Sequence, residues 1–279
     1  MGNKKEFLEA LDHVQELYPN MAVLSQLSKL LKSPNSDLDS LARLIRTEAA
    51  LTLDVIRVSN SPVFVRAEKC RDIQTAVAWI GYNEVQRVVG LVLARQFCSR
   101  DLNKYSISAH DYWAETVTVS VLMEGLARAL GEDAAEAATV GLLFAIGKVV
   151  INNILTDFEI DVLWDNFLPL AQWERAMVGF DYAQAGARLL GRWEFPREMT
   201  YSIGFHLEPK RAPKRPPLLS MLHYAVRLCE KVGTGCEERD YAVPIYPPVT
   251  DQITNAEVRR LVEEARDSFL RTAQMILTE

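Results

Sequence analysis

Apolar residues recur at intervals of three and four along most of the chain, the period of an α-helix with one buried face. Residues 5–17 place Phe7, Leu8, Leu11 and Val14 on one stripe, and residues 20–32 do the same with Met21, Leu24, Leu27, Leu30 and Leu31. Ser36 and Asp39 give a capping-box-like start to a helix carrying Leu41, Leu44 and Ile45. The same period predicts helices over 49–59, 72–80, 83–97, 110–130, 133–152, 158–177, 181–193 and 196–206. A last helix, 254–278, opens at Thr254-x-x-Glu257 and presents Val258, Leu261, Val262, Ala265, Phe269, Ile276 and Leu277. No stretch alternates apolar and polar residues between hairpin turns, so the expected fold is all-α, a multi-helix bundle. Two segments stand apart: residues 208–217 form a basic, proline-rich loop, and residues 239–252 hold Pro244, Pro247 and Pro248 and cannot be helical.

Composition narrows the function classes. The 279 residues carry 31 Lys+Arg against 37 Asp+Glu, a net charge of −6. That balance argues against broad, sequence-independent nucleic-acid binding, which needs many uncompensated cations on one face. No apolar run approaches the ~20 residues of a bilayer span. The longest, 137–147, ends at Lys148, and the N-terminus lacks the apolar core of a secretory signal. A cytoplasmic protein without membrane attachment is expected. Cys70, Cys98, Cys229 and Cys236 show no C-x-x-C pairing, so zinc spacing is absent and reduced, mostly buried thiols are expected. No cofactor is expected.

The segment Gly141-Leu-Leu-Phe-Ala-Ile-Gly-Lys-Val-Val-Ile151 resembles the signature L-x-H-D-I-G-K of the HD metal-dependent phosphohydrolases. Phe144 and Ala145 stand where that signature has its metal-binding His and Asp, while Ile146-Gly147-Lys148 is kept. Further blocks resemble the HDOD family, the HD-related output domain. Residues 49–64 look like its D-P-A-L-T-x-x-L-L-x-x-A-N-S-x-x-F/Y block, and residues 73–81 its I-x-x-A-I-x-x-L-G block. Trp113 fits the tryptophan that opens its W-x-x-S/T helix. Glu174 to Trp193 resembles its E-x-x-x-x-G-x-D/T-H-A-x-x-G-x-x-L-L-x-x-W segment, and Phe195-Pro196 matches the start of the next helix. The likeness covers roughly residues 16–232. It implies an HDOD domain with an N-terminal helical part, 16–108, and an HD-like part, 109–232. A Pro-rich linker, 233–253, and a C-terminal helix, 254–279, would complete the chain.

The departures share a direction. The HD hydrolases use a scattered H…HD…D set, because His and Asp suit a divalent metal that polarises phosphate and activates water. By the resemblance, the first His falls near Glu115, the HD pair at Phe144-Ala145, the later His at Tyr182 and the terminal Asp near Val226. A Y-H-H segment becomes Phe205-His206-Leu207. Glu115 and His206 alone cannot complete a stable metal shell, so no metal site is expected.

Individual residues carry two readings. Glu115 and Lys148 either pair in the former metal cavity, the ammonium replacing a lost cation, or are unrelated surface charges. His206 and His223 are either residual ligands or ordinary helix histidines satisfied by backbone. Asn60 and Ser61 either suit a helix end before Pro62, where asparagine tolerates a left-handed cap and its amide can satisfy loose backbone groups, or bind a ligand. Lys210, Arg211, Lys214 and Arg215 are either a docking surface for an acidic partner or a solvated loop.

The resemblance implies a bacterial signal-transduction or regulatory module acting by protein or small-ligand binding rather than by chemistry. Its expected partner is a signalling protein, and the stripe of 254–278 must bury against the body or a second copy. Two rivals remain: a phosphohydrolase or nucleotide-binding enzyme with a rearranged site, and a sensor whose emptied cavity, lined by Phe144, Ala145, Tyr182 and Val226, takes an apolar ligand.

Overall fold

A computed structural model describes residues 4–14, 21–33, 36–64, 69–165, 167–232, 256–265 and 267. Among them there is no strand; a single bridge joins Leu102 and Ile107. The helices are α1 (Lys4–Val14), α2 (Met21–Leu31), α3 (Leu38–Arg46), α4 (Ala49–Ser59), α5 (Ile73–Ile80) and α6 (Tyr82–Phe97) in the N-terminal part. They continue as α7 (Ala109–Leu130), α8 (Ala134–Leu143), α9 (Ile146–Asp157), α10 (Leu170–Val178), α11 (Tyr182–Arg192), α12 (Arg197–Phe205) and α13 (Pro217–Val232). The all-α reading holds, and the apolar stripes named from sequence supply the core: Phe7, Leu11, Leu24, Leu27, Leu41 and Ile45 are all buried.

Side-chain caps explain five of the helix starts. Asp37 caps α3 by accepting from Ser40 N–H, whereas Ser36 turns back to Ser33 O, so the capping residue lies one position later than the sequence pattern suggested. Asp72, Ser108, Asp133 and Asp181 cap α5, α7, α8 and α11 in the same manner, and Gln184 completes a capping box with Asp181. Asn60 ends α4 at φ −92°, outside the left-handed region. Its amide clamps the chain: Nδ2 donates to Ile56 O and Cys70 O, and Oδ1 accepts from Cys70 N–H at 2.8 Å.

Three helix readings need correction. The stretch read as one helix over 133–152 is two, α8 and α9, separated at Phe144 and Ala145. Tyr112 Oη donates to Ala145 O at 3.0 Å, a tertiary bond that no local propensity announces. The predicted 158–177 helix is not helical over 158–165 and 167–169, and α10 follows; Pro169 cannot occupy a helix interior and sits instead at the cap. Helix α13 was not expected; it begins on Pro217, a favoured first position.

The stretch Ala134–Asp157 is long and apolar enough by composition to cross a membrane, contrary to the sequence expectation, but 83% of its most apolar window is buried in the protein. Cys70 and Cys98 are free and buried, while Cys229 is disulfide-bonded, which corrects the expectation of four reduced thiols. The linker 233–253 and residues Phe269, Ile276 and Leu277 lie outside the described residues. Within the last predicted helix, 256–265 is helical, with Leu261 and Ala265 buried against this same chain.

Candidate functional site

Four helices meet around the altered signature. Two glycines set the distances. A Cβ on Gly141 would lie 2.5 Å from Ser120 Cα, so α8 runs backbone to backbone along α7. A Cβ on Gly147 would lie 1.9 Å from Tyr182 O, so the start of α9 presses on the start of α11. These contacts bring Glu115 of α7, Phe144 and Ala145 of the break, Lys148 of α9 and Tyr182 of α11 into one buried cluster.

Its centre is an ion pair. Lys148 Nζ donates to Glu115 Oε1 at 2.9 Å and Oε2 at 3.1 Å, and the two side chains are only 5% and 11% exposed. The same ammonium lies 5.0 Å from the centroid of the Tyr182 ring, a cation–π geometry. A charge pair removed from water needs such close satisfaction on both sides to be tolerated. Of the two readings of Glu115 and Lys148, the buried pair is the one the fold contains.

His206, at the end of α12, closes the far side. Its Nδ1 donates to Ile203 O at 2.6 Å, which leaves Nε2 to accept from Tyr182 Oη at 3.1 Å. Its ring meets Phe144 edge to face, 5.8 Å between centroids, and lies 5.5 Å from the Tyr182 ring. Burial pushes the imidazole pKa down to about 3, helped by the charges of His223 and Lys148, against the opposing pull of the Ile203 carbonyl. The ring is therefore neutral and both its nitrogens are engaged. His223 on α13 donates Nδ1–H to His206 O at 2.7 Å, a backbone satisfaction.

The other residues singled out from sequence are not among the side chains hydrogen-bonded in this centre. Trp113 is half-buried against the core, and Val226 is buried on α13. Lys210, Arg211, Lys214 and Arg215 are exposed on their loop, with Arg211 paired to Glu208 at 2.8 Å and Lys214 held by its backbone to Tyr201 Oη. Sequence reasoning missed two contributors. Tyr112 fixes the helix break through its bond to Ala145 O. Glu174, fully buried, accepts from Tyr105 Oη at 2.8 Å and from Tyr182 N–H at 2.8 Å, and so positions the start of α11. The glutamate that opens the 174–193 block was the available signal. Arg175 binds Asp181 at 2.6 Å and Glu208 at 3.2 Å. Burial works against its charge, and these two carboxylates outweigh that and raise its pKa.

A metal would find little here. Glu115 holds an ammonium, Glu174 accepts from Tyr105 Oη and Tyr182 N–H, His206 accepts from a phenol, and the side chains of Phe144 and Ala145 have no donor atom. Among the described residues no group of three or more His, Cys, Asp or Glu is placed to hold an ion. The residues present do not fit a divalent cation. A cleft of about 440 Å³ lies elsewhere, between α2, α6, α7 and α8. Its cations are paired: Lys32 with Glu136 and Arg87 with Glu84, each at 2.8 Å, and Arg128 with Glu124.

An all-helical domain built around an HD-like signature without its ligands defines the class. The HDOD domain family model matches residues 17–209, and the chain belongs to that family. A protein of Treponema pallidum (strain Nichols), described as uncharacterized, is 26% identical over 220 residues; the match takes in 77% of this chain but only 42% of that relative's length. Three solved structures share the fold. An HDOD domain protein of unknown function from Geobacter sulfurreducens matches with a TM-score of 0.70 at 17% identity, covering 91% of this chain and 92% of its own. A protein from Marinobacter aquaeolei VT8, provisionally named a signal transduction protein, gives 0.71 at 18% identity, covering 99% and 66%. One from Shewanella amazonensis SB2B, provisionally named a phosphohydrolase, gives 0.61 at 19%, covering 95% of each.

Proposed function

We propose that this protein is a non-catalytic signal-transduction or regulatory module that acts by binding a protein or small ligand, its HD-type metal centre replaced by an internal ion pair. One observation carries the reading: the Lys148 ammonium contacts both oxygens of Glu115 in a buried site. It supplies in place the positive charge that a metal would bring, and it occupies both oxygens of the Glu115 carboxylate. Reactive groups held this way are committed to structure. The provisional name of the Marinobacter relative, a signal transduction protein, is in keeping with a signalling role. The rival reading, a hydrolase using rearranged donors, needs ligands that the described residues do not bring together.

The test is metal analysis of protein purified without chelator, with turnover of bis-p-nitrophenyl phosphate and cyclic dinucleotides in added manganese. Substoichiometric metal and no turnover are expected. Near-stoichiometric metal, or turnover abolished by Glu115→Gln or His206→Asn, would overturn the proposal.

A further inference from the structure

The loop between α9 and α10 is held from inside. Trp164 is buried; its indole N–H donates to Leu168 O at 2.9 Å and its backbone N–H to Lys104 O at 2.9 Å. Lys104 answers with Nζ to Ile160 O at 2.6 Å, and its own N–H donates to Asn152 Oδ1 at 3.0 Å. Glu159 takes the left-handed turn, φ 53°, that leads the chain out of α9, and Phe158 packs edge to face on Phe7 at 5.0 Å.

With those anchors satisfied, large apolar side chains still face water. Phe167 is 86% exposed and Leu163 57%, with Phe158, Val162 and Leu168 beside them along the chain. Large apolar side chains exposed this close together in sequence are candidates for an interaction site. The bonds of Trp164 and Lys104 already set the backbone beside Leu163, which lowers the entropic cost of binding there. Between the apolar residues stand four exposed carboxylates, Asp157, Glu159, Asp161 and Asp165. Lys104, a cation that touches the loop, is turned inward to a carbonyl.

We propose that this loop is a docking surface for a cationic amphipathic protein segment. Its apolar face would cover Leu163 and Phe167, and its lysines or arginines would meet the four carboxylates. Charge selects this occupant. A second copy meeting the loop symmetrically would oppose the same carboxylates, and an anionic lipid surface would be repelled by them.

The inference rests on the binding reading above and is tested separately from it. The probe is a fluorescein-labelled amphipathic helical peptide of leucine and lysine, added to the full chain and followed by anisotropy. Affinity should fall about tenfold or more in Leu163→Ser/Phe167→Ser, and comparably in Asp161→Asn/Asp165→Asn, the size of change expected when the anchors of an interface are removed. The melting temperature should hold in both variants, because the changed side chains are exposed. A peptide of the same composition without an apolar face should bind about tenfold more weakly. Equal affinity for wild type and both variants, or for both peptides, would sink the surface. So would self-association, or sedimentation with phosphatidylcholine vesicles, that the serine variant abolishes. Failure here leaves the binding module standing; phosphoester turnover through Glu115 or His206 removes that reading whatever the peptide does.

Discussion

Lys148 Nζ touches both carboxylate oxygens of Glu115, a residue 33 positions earlier in the chain, with both side chains shut off from solvent. Removing one partner leaves the other charge buried without a counter-ion, which costs about 3–5 kcal/mol in comparable pairs. Lys148→Met and Glu115→Leu are each expected to destabilise by that order in urea unfolding. The double variant should recover most of the loss, because two apolar side chains of similar volume need no satisfaction. A double variant as unstable as the sum of the singles would show that the pair is not the unit of stability.

Restoring the two signature letters should not restore an enzyme. Ala145 is fully buried, beside a carbonyl that already accepts from Tyr112 Oη. An aspartate there has no cation to meet, since Lys148 is taken. Phe144→His/Ala145→Asp is expected to lose several kcal/mol, on the order of the cost of an unpaired buried charge, and to show no phosphodiesterase activity. Unchanged stability would mean that water reaches position 145.

His206 makes stability depend on pH. Its folded pKa, about 3, lies below the ordinary value of 6.5, so the unfolded chain binds the proton first. The stabilisation is complete above about pH 6.5 and is lost as the pH falls toward 3. The slope from this residue is at most about 1.4 kcal/mol per pH unit. Denaturation midpoints measured from pH 7 to 4.5 should fall in the parent and fall less steeply in His206→Gln. Parallel slopes would place the acid sensitivity elsewhere.

The C-terminal segment contributes to the body of the chain. A Cβ built on Gly125 of α7 would meet Leu261 Cδ2 at 2.4 Å, so the leucine side chain lies flat against the bare glycine backbone. Leu261→Ala should cost about 2 kcal/mol or more, the usual loss for a buried leucine. Gly125→Ala should destabilise too, by driving that side chain off its seat. Chemical denaturation of the two variants checks both.

The fold was legible because most of its information is periodic. Stripes such as Phe7, Leu11, Leu24 and Leu27 fix helix faces whatever lies opposite them. The signature residues also pointed to the buried cluster, since the resemblance assigned Glu115, Tyr182 and His206 to one place. The rest was set by tertiary bonds and stayed hidden. The break at Ala145 depends on Tyr112, which is remote in sequence. The 158–169 loop carries helix-compatible spacing, and only Pro169 betrayed it. Helical phase alone could not decide whether Lys148 and Glu115 pointed at each other; that took the glycine contacts that fix how α7, α8, α9 and α11 cross.

Those glycines carry a wider meaning. Gly147 abuts the Tyr182 carbonyl and Gly141 abuts Ser120, so both ends of the signature are dictated by how closely backbones pass, while the two metal letters between them are not. The parts of a motif that record spacing can outlast the parts that record a reaction. A search that weighs the I-G-K frame would gather this chain with the hydrolases whatever its chemistry, and within the signature only the occupants of positions 144 and 145 set it apart.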